Sequence, residues 1–357
     1  MAIPFSLPDG ERNISSKNPV HHVGIVWRSL TVRLGLGGAL FVMLLLCLWL
    51  VAVYWSCEPA QFDVKAAALE RFDGDESKVV VGVVVTSTLM QVAQTLLDKP
   101  GGYITNDKTP PGVWMDNMPN WEFGVLTQVR VLAQAMRNDF SRSQSQSSED
   151  PDLANGESQF NFDSHSWIMP ATETEYRSGL TFFGKYIHRL SDIKQSNAQF
   201  FARADNLASW IDVVSKRLGG ISQKLRSSVG QNRINTDLSG DPNAQQSTPV
   251  NEQESFKTPW LLLDDVFYEA RGNCWALLHF LRAMEVDFYE VLQKKNALVS
   301  LRQIIRELEP TQDPVWSPMI LNGSGFGLLA NHSMVMGAYI SRANAAMIDL
   351  RNLLQRG

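Results

Sequence analysis

Cysteine is scarce in this 357-residue sequence, and the short signatures of metal, phosphate and acyl chemistry are missing. Three cysteines, Cys47, Cys57 and Cys274, cannot build a disulfide framework, and their spacing gives no support to a Cys57–Cys274 pair. No CxxC or Cys/His cluster has the spacing of a zinc site. P-loop, GxGxxG, HExxH and GxSxG motifs are likewise absent, so the sequence implies no metal and no cofactor. Gly323-Ser324-Gly325-Phe326-Gly327 lacks the Lys and Ser/Thr of a phosphate loop and reads as a turn before a helix. Ser191-Asp192-Ile193-Lys194 matches SxxK, but it lies on an amphipathic helix without a KTG companion. The histidines His165, His188, His279 and His332 are scattered, and only His21 and His22 adjoin.

Basic charge is also in short supply, and this excludes a function class. The net charge is −5. Up to Arg33, four basic residues face two acidic ones; beyond it, 28 face 35. A body that acidic is a poor partner for nucleic acid, whose phosphates demand a basic surface.

Charge is wholly absent from Leu34 to Trp55, a run of 22 residues. Roughly 20 apolar residues at about 1.5 Å each span the hydrocarbon core of a bilayer. Trp27 precedes the run, and Trp49, Tyr54 and Trp55 crowd its end, where amphipathic rings settle at the membrane interface. The run is too long for the core of a signal peptide and has no small-residue cleavage site. Basic residues before it and Glu58 and Asp63 after it place the N-terminus in the cytoplasm. A second uncharged stretch, Val79 to Leu97, competes as a span. Its many Ser, Thr and Gln residues favour a buried soluble segment, strand-like over Val79 to Val85 and helical after a Thr86 or Ser87 cap.

Periodicity predicts a mainly α protein: one N-terminal transmembrane helix and an elongated extracytoplasmic bundle with two long antiparallel helices. The expected order is a cytoplasmic tail over 1–33, the span over 34–55 and a first helical part over 56–142. A disordered linker over 143–159, a long helix within 160–229, a disordered loop over 230–257 and C-terminal helices over 258–357 follow. Thr172 to Glu175 reads as a capping box opening a helix of about 70 Å to Leu218, which Gly219-Gly220 kinks or ends. Its heptad-like stripe fits packing within the chain or across a homodimer. Thr258-Pro259 reads as the start of a helix running to Leu308.

Several uncommon strings carry a family resemblance. They include Leu97-Asp98-Lys99-Pro100-Gly101-Gly102-Tyr103, Asp116-Asn117-Met118-Pro119-Asn120-Trp121-Glu122-Phe123-Gly124 and Ser166-Trp167-Ile168. Glu175-Tyr176-Arg177 and Tyr268-Glu269-Ala270-Arg271-Gly272, running into Trp275, complete them. Together they resemble the family named domain of unknown function 2333, across almost the whole region beyond the span. The resemblance implies an inner-membrane protein of Gram-negative bacteria with a periplasmic domain, and it supplies no activity.

Two segments hold candidate functional residues. Between Asp264 and Asp287, charged residues sit among bulky apolar ones. They suit interhelical ion pairs with Arg177, Lys185 or Arg189; a sharper reading pairs Glu269 with Glu285 or Glu122 as acid and base. Between Trp114 and Gly124, Trp114, Asn117, Asn120 and Trp121 suit a partner- or ligand-binding surface, or else Trp121 simply packs in the core. The favoured reading is a scaffold or adaptor for envelope proteins, not an enzyme, with the bilayer and other envelope proteins as partners. The alternatives are a periplasmic hydrolase or lyase acting on a cell-wall or glycan substrate, and a ligand-sensing periplasmic domain.

Overall fold

The computed structural model describes residues 20–143, 148–192, 197–234, 253–317, 319–324 and 327–356. The chain divides into one unit up to Val51 and a second from Ala52 onward. Helix α1 (Val20–Trp55) contains the stretch Gly35–Trp55, among the described residues the one helix long and apolar enough to cross a membrane. Its apolar side chains, such as Phe41, Leu44 and Leu50, are exposed.

The second unit is built from ten helices among the described residues: α2 (Val64–Glu70), α3 (Val83–Asp98), α4 (Asn117–Ala135), α5 (Pro151–Phe160), α6 (Thr172–Ser191), α7 (Ala204–Arg226), α8 (Leu263–Asp287), α9 (Tyr289–Lys294), α10 (Leu298–Leu308) and α11 (His332–Gln355). Helix α8 is the axis. Trp275, Leu277, Leu278, Phe280 and Leu281 are all fully buried, because α3, α4 and α10 surround it.

Helices α4 and α8 run parallel, as the Asn120–Asp265 and Gln128–Asn273 side-chain bonds show. They approach closely because two glycines face each other's backbone. A Cβ on Gly124 would collide with the carbonyl of Glu269, and one on Gly272 with the carbonyl of Trp121. Helices α7 and α11 are the antiparallel pair, with Arg351 on Asp212 at one end and Ser222 on Ser341 further along. The predicted pair of long antiparallel helices therefore needs correction. The expected 70 Å helix is two helices, α6 and α7, parted between Asp192 and Arg203. Gly219 and Gly220 do not end α7, which continues to Arg226 with open space at Gly220. The C-terminal segment breaks at Phe288 and again near Asn296, whose positive φ of 52° turns the chain into α10. The heptad-like stripe packs within the chain: Tyr176, Phe183, Ile187, Ile211, Leu218 and Leu225 are all buried.

Local readings also shift. Val79 to Val85 is not a strand, since α3 begins at Val83. Its first N–H groups are capped from afar, the Asp287 carboxylate accepting from Val85 N at 2.7 Å, so β-branched propensity yields to burial and a cap. Neither Thr86 nor Ser87 caps it, and both are buried. Burial of Val83 to Leu97 accounts for the apolar character of that stretch without a second span.

Thr172 lies inside α6, and its hydroxyl donates to the carbonyls of Asp163 and Ser166 instead of forming a capping box. Residues 151–159 of the expected disordered linker fall in α5, which runs to Phe160. Asp150 caps it by accepting from Asp152 N and Leu153 N, and Arg189 clamps Asp150 and Asp152 at 2.7 and 2.6 Å. Of the expected loop over 230–257, Gln231–Ile234 and Gln253–Phe256 pair as antiparallel strands β1 and β2; residues 235–252 lie outside the described ones.

Candidate functional site

The side chains of α8 at positions 271, 275 and 279 recur every four residues and so share one face. All three grip the stretch that follows the apolar run. Arg271 Nε donates to both Glu58 carboxylate oxygens at 2.7 Å. Its Nη1 donates to the carbonyls of Thr311 and Asp313 at 3.0 and 2.8 Å, and its Nη2 to that of Gln312 at 3.1 Å. The planar fork of Arg suits this simultaneous capture of a carboxylate and a carbonyl turn. One turn on, Trp275 Nε1 donates to Pro59 O at 3.1 Å. A further turn on, His279 Nε2 accepts from Phe62 N at 3.1 Å. That bond fixes the tautomer, so Nδ1 carries the proton and donates to Trp275 O at 2.7 Å. Phe62 stacks on the imidazole with ring centroids 4.1 Å apart. Burial holds the His279 imidazole neutral, pushing its pKa down to about 4, with Arg282 adding to the effect.

A second buried constellation locks the loop after α3. Lys99 Nζ lies 2.5 Å from Glu122 Oε1, and both side chains are wholly buried. The Glu122 carboxylate also accepts from Ile104 N, Thr105 N and the Thr105 hydroxyl, at 2.9, 2.8 and 2.5 Å. Lys99 donates in turn to Gly102 O at 2.5 Å. Gly101 and Gly102 take positive φ of 85° and 70°, and Trp55 packs where a Gly101 side chain would be, 2.6 Å from an ideal Cβ. The Lys-Pro-Gly-Gly-Tyr string is therefore a folded loop that seats the last residue of the apolar run. Beside it, Asp107 has a raised pKa, from burial first and then from the charges of Glu122 and Glu173.

The three acids singled out from sequence do not converge. Glu122 is spent on the loop. Glu269 pairs with Lys224 of α7 at 3.1 Å, and Glu285 with Arg302 at 2.7 Å. Sixteen residues separate Glu269 from Glu285 on α8, roughly 24 Å along one helix, far beyond the ~5–10 Å of a carboxyl pair that shares a bond to be broken. Of the ion pairs expected with α6, Arg177 pairs instead with Asp98 and Arg189 with Asp150 and Asp152.

The aromatic segment splits. Trp114 is exposed, whereas Trp121 is fully buried against Trp275 with centroids 5.3 Å apart. Asn120 donates to Asp265, and Asn117 sits half-buried at the start of α4. Among the described residues, no group of three or more His, Cys, Asp and Glu is placed to hold a metal.

Sequence reasoning placed Arg271 and His279 among the charged residues of the Asp264–Asp287 segment and Trp275 among its bulky apolar ones, but missed their partners Glu58, Pro59 and Phe62. The four-residue spacing of 271, 275 and 279 was the available signal. A family model described as an uncharacterized protein conserved in bacteria (DUF2333) matches residues 27–357. The chain belongs to this family. No curated protein and no solved structure matches it. The family match takes in Gly35–Trp55, Glu58 and the whole of α8, so anchor-like helix and clasp fall within one family region.

Proposed function

We propose that this DUF2333 chain is a single-span, membrane-tethered scaffold of the bacterial envelope, with its N-terminus cytoplasmic and its helical body in the periplasm. The observation that carries the reading is the clasp. Trp55 is seated on Gly101, and Glu58 through Phe62 are bonded to α8, so the residues directly after the apolar run are part of the body's own fold. A leader removed by cleavage has no reason to be wired into the domain it leaves. A tether does, because it must transmit its position to the body.

The scaffold reading is further supported by how the carboxylates are used. Glu122, Glu269 and Glu285 are each engaged in ion pairs that hold helices or a loop together. A hydrolase or lyase built on Glu122 would need that carboxylate to meet substrate, yet its side chain is sealed from solvent.

The test is topological and biochemical. Alkaline phosphatase fused after Asp75, after Asp107 and at Gly357 is expected to be active at all three points. Activity only after Asp75 would return the body to the cytoplasm and overturn the reading. Cross-linking of the full chain in cells is expected to recover defined envelope proteins, and recovery of the chain alone would sink the scaffold role.

A further inference from the structure

The body beyond residue 55 contains seven tryptophans. Three, Trp121, Trp210 and Trp275, are fully buried. The other four stand in the open: Trp114 at 65% exposure, Trp167 at 50%, Trp260 at 71% and Trp316 at 92%. Tryptophan is seldom left so bare on a soluble surface, because its large apolar ring gains from leaving water. Each of the four lies in a different loop or turn, spread over some 200 residues of sequence.

The bundle brings those loops to one end. Trp55 packs on Gly101, in the loop that leads to Trp114. Asn106 of that loop donates to Ser166 O at 2.9 Å, which puts Trp167 beside it. Asn120, one turn into α4, bonds Asp265 at the start of α8, directly after Trp260 and Leu261. Arg271 ties Glu58 to the turn at Thr311–Asp313, just ahead of Trp316. Exposed Met169 and Leu261 extend the apolar surface. Among the described residues, the opposite end of the body has no exposed tryptophan. There, Asp287 meets the start of α3, and Lys295 meets the C-terminal end of α11.

We propose that this crown of four tryptophans is a lipid-docking surface, seated in the interfacial layer of the bilayer beside the point where the chain emerges at Trp55. Continuity supplies the occupant: the same end that displays the rings also packs the last residue of the membrane-capable helix. Indole rings favour the headgroup layer, where their apolar bodies leave water while the N–H stays wet. Charge does not drive the contact. Acidic Asp116, Asp264 and Asp313 interleave with exposed Lys108 and Lys257 around the crown, so burial of rings dominates and anionic lipid is not required.

The inference rests on the tethered reading, and one experiment separates the two. The full-length chain, with Cys57→Ser to remove an exposed thiol, is placed in nanodiscs of zwitterionic phosphatidylcholine containing a headgroup-region spin-labelled lipid. A fluorophore is attached at Leu261→Cys in one sample and at Val299→Cys in another. Both positions are exposed, and Val299 lies on the opposite end, at the start of α10 and four residues after Lys295.

Quenching is expected to be severalfold stronger for the Leu261 probe, unchanged in high salt, and reduced toward the Val299 level when Trp114, Trp167, Trp260 and Trp316 are all changed to Ser. Equal quenching at both positions would overturn the seating while leaving the tether intact. So would protection of the Leu261 probe by a second copy or an added protein in place of lipid. The reporter fusions fail or succeed independently, since lipid contact is read on either side of the membrane.

Discussion

Protonating His279 should loosen the clasp that joins the body to the residues following its apolar run. The imidazole accepts from Phe62 N only when Nε2 is bare, and burial pushes its pKa down to about 4 from an ordinary value near 6.5. A depressed folded-state value means that the unfolded chain takes up the proton first. The stabilisation is therefore complete above about pH 6.5 and is lost as the pH falls toward 4. Linkage over that interval gives a loss of about 2 kcal/mol at pH 5 and about 3 kcal/mol at pH 4, a large part of a typical domain's 5–15 kcal/mol.

Asp287 acts in the opposite sense. Burial raises its carboxyl to about 7 against the pull of three backbone N–H groups, so its share of stability falls as pH rises from 3.8 to 7. The comparison must cancel that contribution. His279→Gln keeps an acceptor near Phe62 N and never ionises, so subtracting its urea-unfolding free energies from those of the unaltered chain isolates His279. The difference should open by about 2 kcal/mol between pH 7.5 and pH 5. Protection of the Phe62 amide, corrected for intrinsic exchange rates, should fall over the same interval in the unaltered chain only. Parallel stability curves for the two proteins would refute the reasoning.

Two further sets of variants probe the packing. Glu122→Ala leaves Lys99 charged and sealed from water without its partner, so it should cost roughly 3–5 kcal/mol in unfolding free energy. The double change Lys99→Met with Glu122→Leu should recover part of that, and a single-variant cost under about 1 kcal/mol would show that the pair is dispensable. Gly124→Ala or Gly272→Ala forces α4 and α8 apart, because the added methyl meets backbone that cannot turn away, and should lower the thermal midpoint sharply. Gly184→Ala, whose methyl would find Met90 Cε at 3.6 Å, serves as the tolerated control.

Much of the architecture was legible because it is local. A charge-free stretch as long as a bilayer is thick can be read without any tertiary information, and so can the helical repeat of apolar residues along α6, α7 and α11. The errors arose where a distant residue overrode a local preference. Val83 to Val85 looked like a strand, yet Asp287, some 200 residues away, caps them as helix. Residues 151–159 looked disordered, yet Arg189 pins the start of α5 through Asp150 and Asp152. Asp192 to Arg203 interrupts a stripe that continues in sequence, because the chain must turn there to bring α7 against α11.

The sequence by itself determined that this is a helical, acidic chain with a membrane-capable segment near its N-terminus, since those properties are sums over neighbouring residues. Tertiary structure alone decided where its charged and aromatic residues lie and what they touch. Glu122 could be read as an acid until its oxygens were found on Lys99 and a loop, and Trp114 and Trp121 looked alike until one proved bare and the other buried. Helices of alternating direction carry loops distant in sequence to the same end of a bundle, and that geometry, invisible in any local pattern, assembles both the clasp and the crown.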